Sequence, residues 1–206
     1  MAFGTMKLKV DLSRPRRLFA GVLIGAMGGL ASVGAVCAAT VQAQDFSRLV
    51  ELSAKRLDIS RQVALTKWDS KLSVADPPND PREKQVIDAA TSEARDKGLP
   101  GELASAFFAD QIEASKLVQF VLMADWRRSG SVPADRRADL KTELRPALDR
   151  LRTQFIEELV ATQTLRADPA CKLQLARAAG EHGERHRLAP LYRIGLDRGL
   201  ARVCGD

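Results

Sequence analysis

The sequence predicts an all-α protein, a single helical domain of about six helices behind a removable N-terminal segment. Three observations carry that expectation. Beyond Gln44 there are few β-branched runs and no alternating strand pattern, while Ala, Leu, Arg, Glu and Asp dominate. Apolar residues there recur at helical spacing between Pro and Gly punctuation marks. The first 43 residues differ, being basic and then apolar. A chain of 206 residues is long enough for one core of ordinary size with an appended segment.

That segment has the order of a secretory signal peptide. Lys7, Lys9, Arg14, Arg16 and Arg17 form a basic region, and an uncharged run rich in Gly and Ala follows from Leu18 to about Val41. Val41-Gln42-Ala43 fits the small-x-small cleavage pattern, so residues 1–43 are expected to be removed and the mature chain to begin at Gln44. The apolar run is about as long as a bilayer span, but its glycines, alanines and cleavage site favour removal over anchoring. Gly34-Ala35-Val36 before Cys37 lacks the Leu of a lipid-attachment box. Arg16-Arg17-Leu18-Phe19 faintly resembles a twin-arginine signal, and the general secretory route is the expectation. The product would be periplasmic or secreted, with no stable membrane association.

Removing the segment changes the charge. The whole chain is at +6, but the segment holds five bases and the single acid Asp11, which leaves about +2 on the mature protein. The basic character belongs largely to the signal, and nucleic-acid binding loses its support. Cysteine usage agrees with export: without Cys37, an even pair remains, Cys171 and Cys204, and in an oxidising compartment these are expected to form a disulfide. Two thiols without a Cys-x-x-Cys motif do not make a zinc site.

The elements follow in order. A first helix is expected from about Phe46 to Leu72, with Phe46, Leu49, Val50, Leu57, Val63, Ala64 and Trp68 on its apolar stripe and a break or bend at Asp58-Ile59-Ser60. Pro77-Pro78-Asn79-Asp80-Pro81 stops it and starts a second helix, with Asp80 as N-cap and Pro81 at the first helical position. Gly98 ends the second helix, and Pro100 precedes a third from about Gly101 to Arg128. A polar loop leads to a fourth from about Leu140 to Leu165, in which Pro146 demands a start near Arg145 or a kink. A short helix follows Asp168-Pro169, loosened by Gly180 and Gly183, and Pro190 opens a last one ending near Cys204.

Polar residues fall on inward faces in two places. Arg56 and Lys67 are 11 positions apart, about 20° past three full helical turns, and share a face. Ser115 and Gln119 are an i,i+4 pair on the face of Phe108, Ile112 and Leu122, with Lys116 at its flank. Each has an ordinary alternative: a cation beside an apolar stripe usually snorkels to solvent, and a helical Ser usually bonds its own i−4 carbonyl. His182 and His186 are also i,i+4 but lack a third ligand nearby in sequence, and no metal is expected there. No Ser-His-Asp order, nucleophilic Cys, Gly-rich phosphate loop or His-Glu-x-x-His motif is present. What remains is a set of cations and amides suited to a dianionic small molecule.

Taken together, AKRLDISRQVALTKW (54–68), the Asp80-Pro81-Arg82-Glu83 helix start, FFADQIEASKLVQ (107–119), Asp125-Trp126, LRPALDRL (144–151) and the Cys171/Cys204 pair resemble the secreted, all-helical chorismate mutases (AroQ class, gamma type). The resemblance covers nearly all the mature chain and implies a chorismate mutase type II-like fold. It also implies an isomerase of aromatic amino acid biosynthesis, which rearranges chorismate to prephenate by an intramolecular Claisen shift, with no cofactor and no metal. The concerted rearrangement needs no acid, base or nucleophile, which accounts for the missing motifs.

By the same resemblance, Arg56 and Arg145 would bind the substrate carboxylates, and Lys67 and Gln119 would donate to the breaking ether oxygen. Arg82 would support the hydroxyl or carboxylate side of the ring, Ser115 would bond a carboxylate or orient a neighbour, and the Lys116 backbone N–H would contact the ring hydroxyl. The family suggests a homodimer with each site inside one chain. Two positions depart from its pattern: Asn79 stands where other members place an acid three residues before Arg82, and Gln119 stands where some carry Glu. The competing reading is an exported helical binding or adaptor protein that uses the same cleft without turnover. A role as a host-directed effector is compatible with either.

Overall fold

The computed structural model describes residues 45–75 and 81–205. The expected signal peptide and the Asp80 cap lie outside the described residues. Within them are seven α-helices and one π-helical turn: α1 (Ser47–Asp69), α2 (Arg82–Asp96), α3 (Gly101–Ser129), the π turn (Leu140–Leu144), α4 (Arg145–Ala161), α5 (Gln163–Arg166), α6 (Cys171–Arg185) and α7 (Pro190–Leu200). None of these helices is long and apolar enough to cross a membrane.

α1 is continuous through Asp58-Ile59-Ser60, where the sequence suggested a break. Ser60 Oγ turns back to the Arg56 carbonyl at 2.9 Å, so its hydroxyl is satisfied without opening the helix. The helix ends at Asp69, three residues before the expected stop, because Lys71 takes a left-handed conformation (φ 54°). α2 begins at Arg82, with Pro81 flanking it, one residue later than expected. It ends at Asp96, two residues before Gly98, whose φ of 78° lets the Leu99 N–H reach back to the Ala94 carbonyl at 2.9 Å.

Pro146 is accommodated by the π turn. Asp139 caps it, its carboxylate accepting from the N–H groups of Lys141 and Thr142 at 2.9 and 2.7 Å. The Leu144 N–H reaches five residues back to the Asp139 carbonyl. The α-helix proper therefore starts at Arg145, and Pro146 sits in its first turn, where its missing N–H costs nothing. The expected fourth helix is split at Thr162, whose hydroxyl bonds the Glu158 carbonyl at 2.7 Å, leaving α5 as a single turn.

Helix directions follow from the paired residues. Gln111 meets Ser53, and Trp68 meets Trp126 edge-on with ring centroids 5.8 Å apart; both pairs share an offset of 58 residues, so α1 and α3 run parallel. Gly195 packs on Leu57 and Val118, while Gln111 reaches Gly199, which sets α7 antiparallel to α3. Arg152 on α4 meets Glu93 on α2, and Phe155 closes on Phe107 and Phe108 to form an edge-to-face aromatic centre. The core is centred on α1, α3 and α4, and α7 adds Leu196 and Leu200, α6 adds Leu175 and Ala179, and α2 adds Ala90 and Ala94.

The C-terminal helix is held in two ways. Cys171 and Cys204 are disulfide-bonded, with Cα atoms 5.8 Å apart across 33 residues. Asp110, fully buried on α3, is gripped by Arg198 and Arg202. Burial alone would raise the Asp110 pKa, but hydrogen bonds from Arg202 and Arg198 and their charges outweigh it and hold the carboxyl below its ordinary value.

Reducing the disulfide, or replacing Cys171→Ser with Cys204→Ser, is expected to lower unfolding stability by about 3–4 kcal/mol in the chain-entropy account, read by urea denaturation. Asp110 has a depressed native pKa, so its contribution is complete above the unfolded value near ~4 and is lost as pH falls through the lower native value. Asp110→Asn is therefore expected to cost about 3 kcal/mol at pH 7 and to flatten the acid limb of the stability curve below pH ~4. An acid limb identical to the parent's would show that other carboxylates govern it.

Candidate active site

Arg56, Ser60, Val63 and Lys67 fall within about 60° of one another around α1. Arg56 is 7% exposed and is without a carboxylate partner among the described residues. Its Nε donates to the Gln111 carbonyl at 3.3 Å, and no described residue accepts from its two Nη groups. Burial pushes its pKa down to about 10, so the guanidinium still carries its charge at neutral pH. Stripping water from a cation without supplying a counter-ion costs several kcal/mol. The fold sustains that cost at this one position of α1.

Lys67 lies three turns further, roughly 16 Å along the axis. Its ammonium donates to the Val74 carbonyl at 2.6 Å, in the segment that folds back after α1. That bond draws the group over the end of the helix. The Cα of Lys67 remains on the same side of α1 as that of Arg56.

The 58-residue register places α3 beside this face. It sets Gln119 opposite residue 61, between the levels of Arg56 and Lys67, and Ser115 one turn lower. Gln119 is 6% exposed, and its Oε1 has no hydrogen-bond partner among the described residues. A buried amide oxygen left so costs about 1–3 kcal/mol. A half-turn of the amide would offer NH₂ at the same place. Ser115 Oγ bonds the Gln111 carbonyl at 2.8 Å, the i−4 alternative, and thereby shares its acceptor with Arg56.

α4 closes the other side. Leu144 packs with Val63, which brings Arg145 to the level between Arg56 and Lys67. Arg145 Nε is buried and unpartnered among the described residues. Gln62 Oε1 is also unpartnered, but it lies about 120° round α1 from Arg56 and off the shared face. Among the expected site residues, Arg56, Lys67, Gln119, Ser115 and Arg145 thus lie along one wall system.

Arg82 and Lys116 sit at its margin. Lys116 is ion-paired with Glu113 at 2.9 Å and Glu83 at 3.1 Å. Hydrogen bonding to Glu113, and to Glu83 against partial desolvation, holds its ammonium above the ordinary value. Its side chain therefore pins the start of α2, where Arg82 is partly buried, to α3. Its backbone N–H lies mid-helix and would have to be shared with the helical ladder. Asn79 and Asp80 lie outside the described residues.

The comparisons with known proteins point to one family. The family model for chorismate mutase type II matches residues 47–120, which hold Arg56, Lys67, Arg82, Ser115, Lys116 and Gln119. A crystal structure of chorismate mutase from Burkholderia phymatum is 40% identical, with a TM-score of 0.75, covering 78% of this chain and 96% of that one. The chain belongs to the chorismate mutase family. The Burkholderia thailandensis chorismate mutase structure is 34% identical, with a TM-score of 0.72 over 77% of this chain and 98% of that one. A secreted chorismate mutase of Mycobacterium tuberculosis is 26% identical over 196 residues, 94% of this chain and 96% of its own.

Three residues of this candidate site were not singled out from the sequence. Gln111 holds Arg56 through its backbone carbonyl and joins α3 to α1 through Ser53, while buried Ser60 bonds the Arg56 backbone carbonyl within α1. The signal was present in the i,i+4 spacing that continues Ser115 and Gln119 back to Gln111. A separate cleft of about 680 Å³ opens where α1 begins, lined by Arg48, Glu51, Glu158, His182 and His186 among others, and holds none of the expected site residues. His182 and His186 stack there with ring centroids 4.3 Å apart.

Arg56→Met is expected to separate function from stability. Removing an uncompensated buried charge should leave the melting temperature unchanged or higher, while kcat/KM for chorismate falls about 10³-fold, roughly 4 kcal/mol of binding lost. A variant that melts several degrees lower yet keeps its activity would mean that Arg56 is a framework residue.

Proposed function

We propose that the cleft of α1, α3 and α4 rearranges chorismate to prephenate by holding the substrate in its compact reactive conformer and stabilising the charge that develops on the breaking ether oxygen. The observation that carries this reading is Arg56: a buried, charged guanidinium with no carboxylate of its own. Its counter-ion would be a substrate carboxylate, met by both Nη groups as a two-pronged hydrogen bond. Arg145 would hold the second carboxylate from the opposite wall. Two anchored carboxylates convert an extended dianion into a near-attack conformer.

Gln119 and Lys67 would then act at the ether oxygen. In a unimolecular shift the only charge to stabilise is the one that grows as the C–O bond lengthens, and fixed donors in a water-poor site act on it most strongly. A rate gain of about 10⁶ corresponds to roughly 8 kcal/mol. Two donors at roughly 3–4 kcal/mol each, together with conformer restriction, reach it. Arg82 would support the hydroxyl or carboxylate side of the ring from the start of α2. Ser115, already committed to the Gln111 carbonyl, would orient Arg56 in preference to touching substrate.

All of these residues come from one chain, which supports a site complete within each subunit of the homodimer suggested by the family. Export fits the secreted relative and the basic–apolar–small order of residues 1–43. The mature enzyme would work in the periplasm or outside the cell.

Purified mature protein is expected to consume chorismate, followed by loss of its near-ultraviolet absorbance, without added metal. Binding without prephenate formation would leave only an adaptor role. At neutral pH, Gln119→Glu should lower kcat by roughly 10²-fold, because an ionised carboxylate cannot donate to the ether oxygen. The rate should recover as pH falls and the introduced carboxyl takes up a proton, while the parent stays flat. A variant with no acid recovery would place the amide away from the reacting oxygen.

A further inference from the structure

Gln111 is 1% exposed and takes part in four hydrogen bonds, two through its side chain and two through its backbone carbonyl. Its side-chain Nε2 donates to Ser53 Oγ on α1 at 3.1 Å and to the Gly199 carbonyl on α7 at 2.8 Å. Its backbone carbonyl accepts from Arg56 Nε at 3.3 Å and from Ser115 Oγ at 2.8 Å. The approach of α7 is possible because position 199 is Gly: a Cβ there would stand 2.9 Å from Gln111 Nε2. The preceding residue, Asp110, is the one clamped by Arg198 and Arg202.

We propose that Gln111 is a positioning residue for the chorismate mutase reaction, fixing the plane of the Arg56 guanidinium so that it meets a carboxylate only end-on through its two Nη groups. A guanidinium has two edges able to form a paired hydrogen bond, one made of Nη1 and Nη2 and one made of Nε and an Nη. The Gln111 carbonyl occupies Nε and removes the second edge. The direction of the remaining edge is then set by where this carbonyl sits. That in turn is set by the side-chain amide, which ties the same residue to two other helices. Neither Ser53 nor Gly199 approaches substrate in this arrangement, yet both determine how Arg56 presents itself.

The inference rests on the reading of Arg56 as a carboxylate ligand. A contact made in both the bound and the reacting substrate changes KM, whereas a donor to the ether oxygen changes kcat. Gln111→Met, which keeps the side chain's length and loses both of its hydrogen bonds, is expected to raise KM for chorismate about tenfold with kcat within about twofold. Ser53→Ala, a milder change that preserves the core, should raise KM about two- to threefold. In an Arg56→Met background, Gln111→Met should add nothing to KM, because the group it aims is gone.

The measurements are steady-state kinetics on folded protein, checked by circular dichroism, with all four variants in parallel. Unchanged KM in both Gln111→Met and Ser53→Ala, or a fall in kcat alone of the kind a loss of folded enzyme produces, overturns the proposal while leaving Arg56 as a ligand. Should Arg56→Met itself leave KM and kcat intact, the reading of the site fails first, and the proposal with it.

Discussion

α1 and α3 lie side by side and parallel, and the register between them decides where every polar side chain of the cleft stands. Two contacts fix it, Gln111 on Ser53 at one end and the edge-on Trp68–Trp126 pair at the other. One is polar and directional, the other broad and apolar. A slip of one residue on either helix would turn its inner face by about 100°. Parallel neighbours need a return helix between them, and α2 fills that role. It brings its own Arg82 and Glu83 to the rim of the cleft as it does so.

Given that register, the electrostatics follow from unequal pairing. Several buried or half-buried cations among the described residues have an acid close by: Lys116 has Glu83 and Glu113, Arg152 has Glu93, and Arg198 and Arg202 share Asp110. Arg56 has a peptide carbonyl instead. A carbonyl supplies a dipole without a full charge, enough to hold the guanidinium in place and too little to neutralise it. The positive potential left over is screened little by water, because Arg56 is only 7% exposed.

Much of this was legible in the sequence because helical periodicity is a local property. The coincidence of Arg56 with Lys67, and of Ser115 with Gln119, follows from counting residues, and the Cys171–Cys204 link follows from an even pair of thiols in an exported chain. Helix ends were less legible, since they depend on single residues: Lys71 turning left-handed, Thr162 bonding backward, a wide turn absorbing Pro146. The importance of Gln111 was hidden for another reason. Its spacing to Ser115 was visible, but its partners lie 58 and 88 residues away, and only the packing of α7 on α3 brings them together. Likewise Lys116 looks like any flank lysine until α2 delivers Glu83 to it.

The π turn before α4 sets a different kind of limit. A helix is a screw, and its angular setting is determined where the thread begins. Here the thread begins at the Asp139 cap, and the wide turn carries one residue more than an α-turn would before Arg145 is reached. Residues 131–138 upstream form a loop whose length can drift over evolutionary time, because the cap resets the phase after them. Between Asp139 and Arg145 no such freedom exists: losing or gaining a single residue rotates Arg145 about a quarter-turn out of the cleft while every residue of the cleft remains in the sequence. An alignment scored by identity would register such a protein as nearly unchanged, although its Arg145 would point elsewhere.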